Sequence, residues 1–159
     1  MAEIIIDITT QQLRLIDNSE TVMDVVISTA KNGAGETAGS ECTPRGHHII
    51  RAKIGGGHPL NAVFIGRRPT GEVYSPELDA AQPGRDWVLT RILWLSGTEI
   101  GKNRLAGVDS MRRYIYIHGT PDSEPMGVPM SHGCIRMRND KLIELFDHVA
   151  VGTQVQING

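Results

Sequence analysis

The stretch MSHGCIRM, Met130 to Met137, holds one of only two cysteines in the chain, Cys134, directly after Gly133 and two residues after His132. Sixteen positions before that cysteine the run YIYI leads to His118, Gly119 and Thr120. A thiol nucleophile needs a neighbouring base, a group that orients the base, and donors for the developing oxyanion. His118 can be the base. No Asp or Asn stands beside it, so a backbone carbonyl such as that of Gly119 can hold the imidazole. Backbone N–H groups around Gly133 and Cys134 can be the donors, and Gly133 permits a close approach or a strained turn. Ser131, His132 and Arg136 make the setting polar and electropositive, which favours a thiolate. The alternative for a lone cysteine is a packed small apolar residue. Residue types and spacing alone leave both readings open.

The elements that must position these residues are mostly strands. EIIIDI places Ile4, Ile6 and Ile8 on one face, and QQLRLID alternates through Leu13 and Leu15. The turn DNSE separates it from TVMDVVIST, the pattern of a hairpin. Lys31 to Gly46 is a long polar, Gly-rich loop, and loops of that length in a compact domain are often functional. HHIIRAKIG and AVFIG read as further strands, with GGGHPLN between them. Residues 67–112 form a long central excursion punctuated by Pro and Gly, in which WVLTRILWL fits a strand or a buried helix almost equally. RRYIYIHG predicts a strand ending at His118, with Tyr114 and Tyr116 on one face. NDKLIELFDHVAVG predicts a helix capped by Asn139 or Asp140, striped by Leu142, Leu145, Phe146 and Val149, and ended by Gly152. TQVQIN closes the chain as a strand. The sum is a mostly β, single domain over residues 1–159 with one helix near its C-terminus.

The bulk numbers are compatible with this. At 159 residues the chain has room for one real core. A net charge of −2 without any Lys/Arg block argues against a nucleic-acid partner. The start MAEIIIDITT lacks the basic region and long apolar stretch of a secretory signal, and no apolar run approaches the ~18 residues of a membrane span. The expectation is a cytoplasmic protein, or a periplasmic one if a leader was removed, with no membrane partner. Cys42 and Cys134 are then thiols rather than a disulfide framework.

IHGTP followed by SHGCIRM resembles the signature of the L,D-transpeptidase (YkuD-type) catalytic domain, and CTPRGHHII resembles that family's Thr-Pro-x-Gly segment. The resemblance runs from about Ile4 to Ile157. It implies a β-sandwich of mixed sheets, and no wall-binding module is evident beside it. It implies Cys134 as nucleophile, His118 as general base and acid, and Gly119 as the residue whose carbonyl orients it. His132 and Gly133 match the loop that forms the oxyanion hole with the Cys134 amide. Ser131 and Arg136 match signature positions, with Arg136, Arg138 and Tyr116 as substrate-binding candidates and Arg112 and Arg113 as further carboxylate anchors. The segment between Gly119 and Ser131 is short for the family. The implied substrates are peptidoglycan stem peptides or muropeptides, cleaved between diaminopimelate and the terminal D-alanine, and carbapenem-type β-lactams are implied acylating inhibitors. No cofactor and no metal is implied.

The acceptor decides the activity. Water makes an L,D-carboxypeptidase, the expectation for a chain without an export signal acting in muropeptide recycling. An amine makes an L,D-transpeptidase. A zinc-dependent hydrolase using some of His47, His48, His58, His118, His132 and Cys134 is a more remote alternative, since the ligand spacing is wrong. A non-catalytic wall-binding module is another. KIGGGHPL lacks the ending of a phosphate loop and reads as a turn. Trp87 and Trp94 read as packing residues, and Cys42 as buried and inert.

Overall fold

The computed structural model describes all residues from Met1 to Gly159. Its strands are β1 (Ala2–Asp7), β2 (Gln12–Asp17), β3 (Glu20–Val26), β4 (Gly46–Ile54), β5 (Ala62–Ile65), β6 (Arg68–Val73), β7 (Val88–Gly97), β8 (Tyr116–Gly119), β9 (Ile135–Met137) and β10 (Gln154–Asn158). Two helices accompany them, α1 (Pro76–Ala81) and α2 (Asn139–His148). All ten strands belong to one hydrogen-bonded sheet in the order β3-β2-β1-β10-β4-β7-β5-β6, with β8 attached to β7 and β9 to β8. The β1–β10 and β8–β9 pairs are parallel, and the other pairs are antiparallel. The expected mixed sandwich is thus one continuous mixed sheet. Ile4, Leu13 and Leu15 share a core with Leu93, Ile117 and Ile135, so the sheet curls until its distant strands meet across one interior.

The N-terminal alternation folds as read. Ile4, Ile6, Leu13 and Leu15 point inward, each gaining about 1.5–3 kcal/mol from burial. The β2–β3 turn uses Asn18 and Ser19 at φ +50 and +67, the backbone twist a two-residue hairpin needs.

One ambiguity is resolved and several expectations are corrected. WVLTRILWL is strand, not helix, and β7 is the sheet's hub, bonded to β4, β5 and β8. It is buried on both faces over Leu89–Leu93, so its sequence shows no alternation to read. The excursion also holds a second helix, α1, capped by Ser75 Oγ, which accepts from Leu78 N–H at 3.1 Å, with Pro76 at its first position. Helix α2 packs on β7 and β8 with Leu142, Leu145 and Phe146 buried, but its N-cap is Arg138 without a side-chain cap. Asn139 turns inward instead. The helix stops at His148, and Gly152 (φ +93) makes the turn into β10. Tyr114 lies outside β8 at φ +58, so it does not share a strand face with Tyr116. No helix is long and apolar enough to cross a membrane.

Candidate active site

The register of β8 and β9 builds the site. In this parallel pair Ile117 faces Ile135 and His118 faces Arg136. Ile117 and Ile135 enter the main core. The alternate positions Tyr116, His118, Cys134 and Arg136 therefore share the opposite face, where Cys134 packs with Ala62, Phe64, Ile92 and Tyr116. A one-residue slip would send the whole constellation into the apolar interior.

His118 is buried, and its Nδ1 lies 2.6 Å from Gly119 O. A carbonyl only accepts, so Nδ1 carries the proton and Nε2 is left as the basic nitrogen. Burial pushes the imidazole pKa down from its ordinary 6.5, against a smaller upward pull from the Gly119 carbonyl. Gly119 has no room for a side chain, because a Cβ would collide with Asn139 Oδ1 and approach Leu89 O to 2.6 Å.

The Cys134 sulfur accepts from Tyr116 N–H at 3.4 Å and donates its proton to Tyr114 O at 3.3 Å. Burial pushes the thiol up to about 11, with Asp86 adding to the rise and the Tyr116 amide, Arg136 and Arg113 opposing it. The expected electropositive activation of the thiolate is thus overridden: neighbouring cations are present, but desolvation of the sulfur is the larger effect. Both shifts favour the neutral forms, a thiol and an imidazole, over a thiolate and an imidazolium.

The loop before Cys134 is held by hydroxyls. Ser131 Oγ donates to Cys134 O at 2.6 Å and accepts from Gly133 N–H at 3.2 Å. Thr43 Oγ1 donates to Gly133 O at 2.9 Å and accepts from Ala30 N–H at 3.0 Å. Gly133 adopts φ +133, a conformation that side chains disfavour. With its own amide taken by Ser131, Gly133 is a poor oxyanion donor, whereas the Cys134 amide has no partner within the chain.

The other sequence candidates scatter. Arg136 is buried and pairs with Asp86 at 3.2 Å, while its Nε has no partner. His132 is exposed, 3.7 Å from the same Asp86. The Tyr116 hydroxyl accepts from Arg67 at 3.0 Å, and Arg67 stacks over Trp94 at 4.4 Å. Arg138 donates to Asp122 O at 2.7 Å. Arg113 is spent on the long loop, donating to Cys42 O at 2.6 Å. Arg136, Asp86, Asp79, Glu124, Arg85 and His132 are among the groups lining a cleft of about 240 Å³. A larger depression of about 740 Å³ beside Met1, Asp17 and His148 contains none of them. No group of three or more His, Cys, Asp or Glu side chains is gathered to hold a metal ion.

Asp86, Thr43 and Arg67 carry no assignment in the sequence reading. Thr43 lies in a segment of the resemblance, which is a usable signal. Asp86 and Arg67 lie in polar loop sequence and are brought in only by tertiary folding.

The sequence model of the L,D-transpeptidase catalytic domain (YkuD) matches residues 2–157. The chain belongs to this family. A Salmonella typhimurium protein described as "Probable L,D-transpeptidase ErfK/SrfK" is 56% identical over 45 residues, 28% of this chain and 15% of that protein. Among solved structures, the Ldtfm-avibactam carbamoyl enzyme superposes with a TM-score of 0.61 at 19% identity, covering 99% of this chain and 49% of that one. The L,D-transpeptidase LdtMt1 in complex with imipenem gives 0.57 at 18% identity, covering 98% and 58%. The chain thus spans about half of these structures, and the likeness to them is one of fold. As an L,D-transpeptidase-family enzyme it presents a carbonyl-oriented histidine on β8 and a cysteine immediately before the adjacent β9.

Proposed function

We propose that the protein is a cysteine acyl-transfer enzyme acting on the L,D bond of peptidoglycan stem peptides. The observation that carries this is the His118 Nδ1–Gly119 O bond of 2.6 Å, which aims the imidazole from β8, while Cys134 directly precedes the paired strand β9. His118 Nε2 removes the thiol proton as sulfur attacks the carbonyl of diaminopimelate. The free Cys134 amide supports the oxyanion. Collapse breaks the C–N bond, His118 returns the proton to the departing D-alanine amine, and a thioester remains. Water or an amine then attacks the thioester, with His118 again taking the proton. Burial disfavours the thiolate, which supports a general-base mechanism over one of a preformed thiolate.

Hydrolysis, and so L,D-carboxypeptidase activity on muropeptides, is the first reading. Transpeptidation is the second reading. Its support is the cleft carboxylates Asp79 and Glu124, which remain to attract an ammonium-bearing acceptor while Asp86 is paired with Arg136. Acylation of Cys134 by a carbapenem is proposed on the same chemistry. The test is a product assay on a soluble disaccharide-tetrapeptide, with and without a D-amino acid, read by mass spectrometry. Tripeptide formed in both conditions and absent with Cys134→Ala is expected for the carboxypeptidase. A dominant exchange product assigns transpeptidation. Turnover that persists in Cys134→Ala overturns the acyl-enzyme reading.

A further inference from the structure

Beneath the His118–Gly119 end of β8 lies a buried polar network that the chemistry above does not use. Asn139 is buried at the start of α2. Its Nδ2 donates to Thr120 O at 2.9 Å and to Asn61 Oδ1 at 3.1 Å, and its Oδ1 accepts from Thr90 Oγ1 at 2.7 Å. The Thr90 hydroxyl also accepts from Asn61 N–H at 3.0 Å, so every polar atom has a definite role and the amide has one orientation.

Thr90 itself sits at φ +74, in the left-handed region that a β-branched residue avoids, at the bulge of β7 between Leu89 and Ile92. Strain of this kind persists where surrounding structure over-determines it, and it clusters at functional sites. The bulge places the Thr90 hydroxyl on Asn139. Asn139 in turn flanks the Gly119–Thr120 peptide unit: Oδ1 lies against its Gly119 Cα end, and Nδ2 holds the Thr120 carbonyl, just beyond its other end. The oxygen of that peptide unit is the one that fixes His118.

We infer that Asn139, oriented by Thr90, is a positioning residue that sets the plane of the Gly119–Thr120 peptide and thereby the tautomer and aim of the His118 imidazole. Asn139 touches neither Cys134 nor His118, and it acts through the backbone between them. The inference rests on His118 being the base of the proposed reaction. The charged groups that act on that imidazole are Asp86 and Arg136, and neither belongs to the network.

The test compares the wild-type chain with Asn139→Ala, Thr90→Val and Thr90→Ser. One readout is the rate of Cys134 acylation by imipenem against pH. The other is the ¹⁵N signature of the His118 ring, assigned by difference from His118→Gln. In the wild type a single Nδ1–H tautomer is expected. In Asn139→Ala and Thr90→Val the tautomers mix, and acylation at neutral pH falls on the order of 10²-fold, the effect of misplacing a reacting group by about 1 Å. The acid limb of Thr90→Val moves to lower pH, because a loosened Gly119 carbonyl no longer favours the imidazolium. Thr90→Ser keeps the hydroxyl and recovers most of the loss. Unchanged ring signals and an unchanged pH profile in both variants, with only a lower melting temperature, overturn the inference. Should Asn139→Ala fail to fold, Thr90→Val decides by the same readouts. A wild type that imipenem leaves unacylated counts against the acyl-enzyme reading, and the ¹⁵N tautomer still decides this one.

Discussion

The two faces of β8 and β9 are one residue apart in sequence and opposite in chemistry. Toward the interior, Ile117, Ile135 and Met137 join a core that reaches β1, β2 and α2. On the opposite face, His118 and Arg136 are buried and Cys134 half-buried, and all three are held by named polar partners. The apolar face is stabilised by area removed from water, which tolerates repacking. The polar face is stabilised by specific hydrogen bonds and ion pairs made by these groups, which repacking does not preserve. Stability and catalysis are thus written on opposite sides of the same two short strands.

The sharpest way to break this comparison is to substitute neighbours. His118→Gln can still donate to the Gly119 carbonyl, so the fold is expected to survive while acylation of Cys134 falls by about 10²- to 10⁴-fold, the usual contribution of a general base. Ile117→Ala is expected to cost about 2–5 kcal/mol in denaturant unfolding while the remaining folded protein keeps nearly its full rate. If Ile117→Ala instead abolishes the rate of folded molecules, the two faces are not separable.

A smaller effect follows from the buried histidines. His48, held between Gly46 O and Ser110 Oγ, is pushed by burial to about 4, and His118 is also pushed below its ordinary 6.5. In both cases the unfolded chain binds the proton more readily. The stability they contribute is present above about pH 6.5, begins to fall below it, and for His48 is lost once pH passes about 4. For His48 this is on the order of 3 kcal/mol. Urea midpoints measured from pH 7.5 to 4 should therefore fall, and His48→Gln should flatten part of the slope. An unchanged slope would show that His48 is not protonated on unfolding.

The smallest effects are expected at the open edge of the cleft. Asp86→Asn frees Arg136 of its counter-charge, so KM for an anionic stem peptide is expected to fall by a few-fold while stability moves by under about 1 kcal/mol, since the carboxylate is largely exposed. His132→Ala removes an exposed ring, and acylation is expected to change by less than about threefold, because the Cys134 backbone amide is the available donor. A large loss there would bring the His132 imidazole into the chemistry.

How much of this was legible varies with the kind of signal. Alternation made β1 and β2 readable, and the signature residues located the cysteine and histidine. β7 was ambiguous because a strand buried on both faces has no period. Asn139 was misread as a cap because Asn before an apolar helix usually is one, and only the approach of Thr90 and Thr120 gives it a better partner.

The sequence by itself determined the family, the mostly β architecture and which residues can carry acyl transfer, since those depend on local periodicity and on residue type at fixed spacing. The tertiary structure alone decided the protonation of the Cys134–His118 pair, the counter-charge on Arg136 and the support beneath Gly119. Each of these depends on burial and on contacts between segments far apart in the chain, and no local pattern encodes the distance between them.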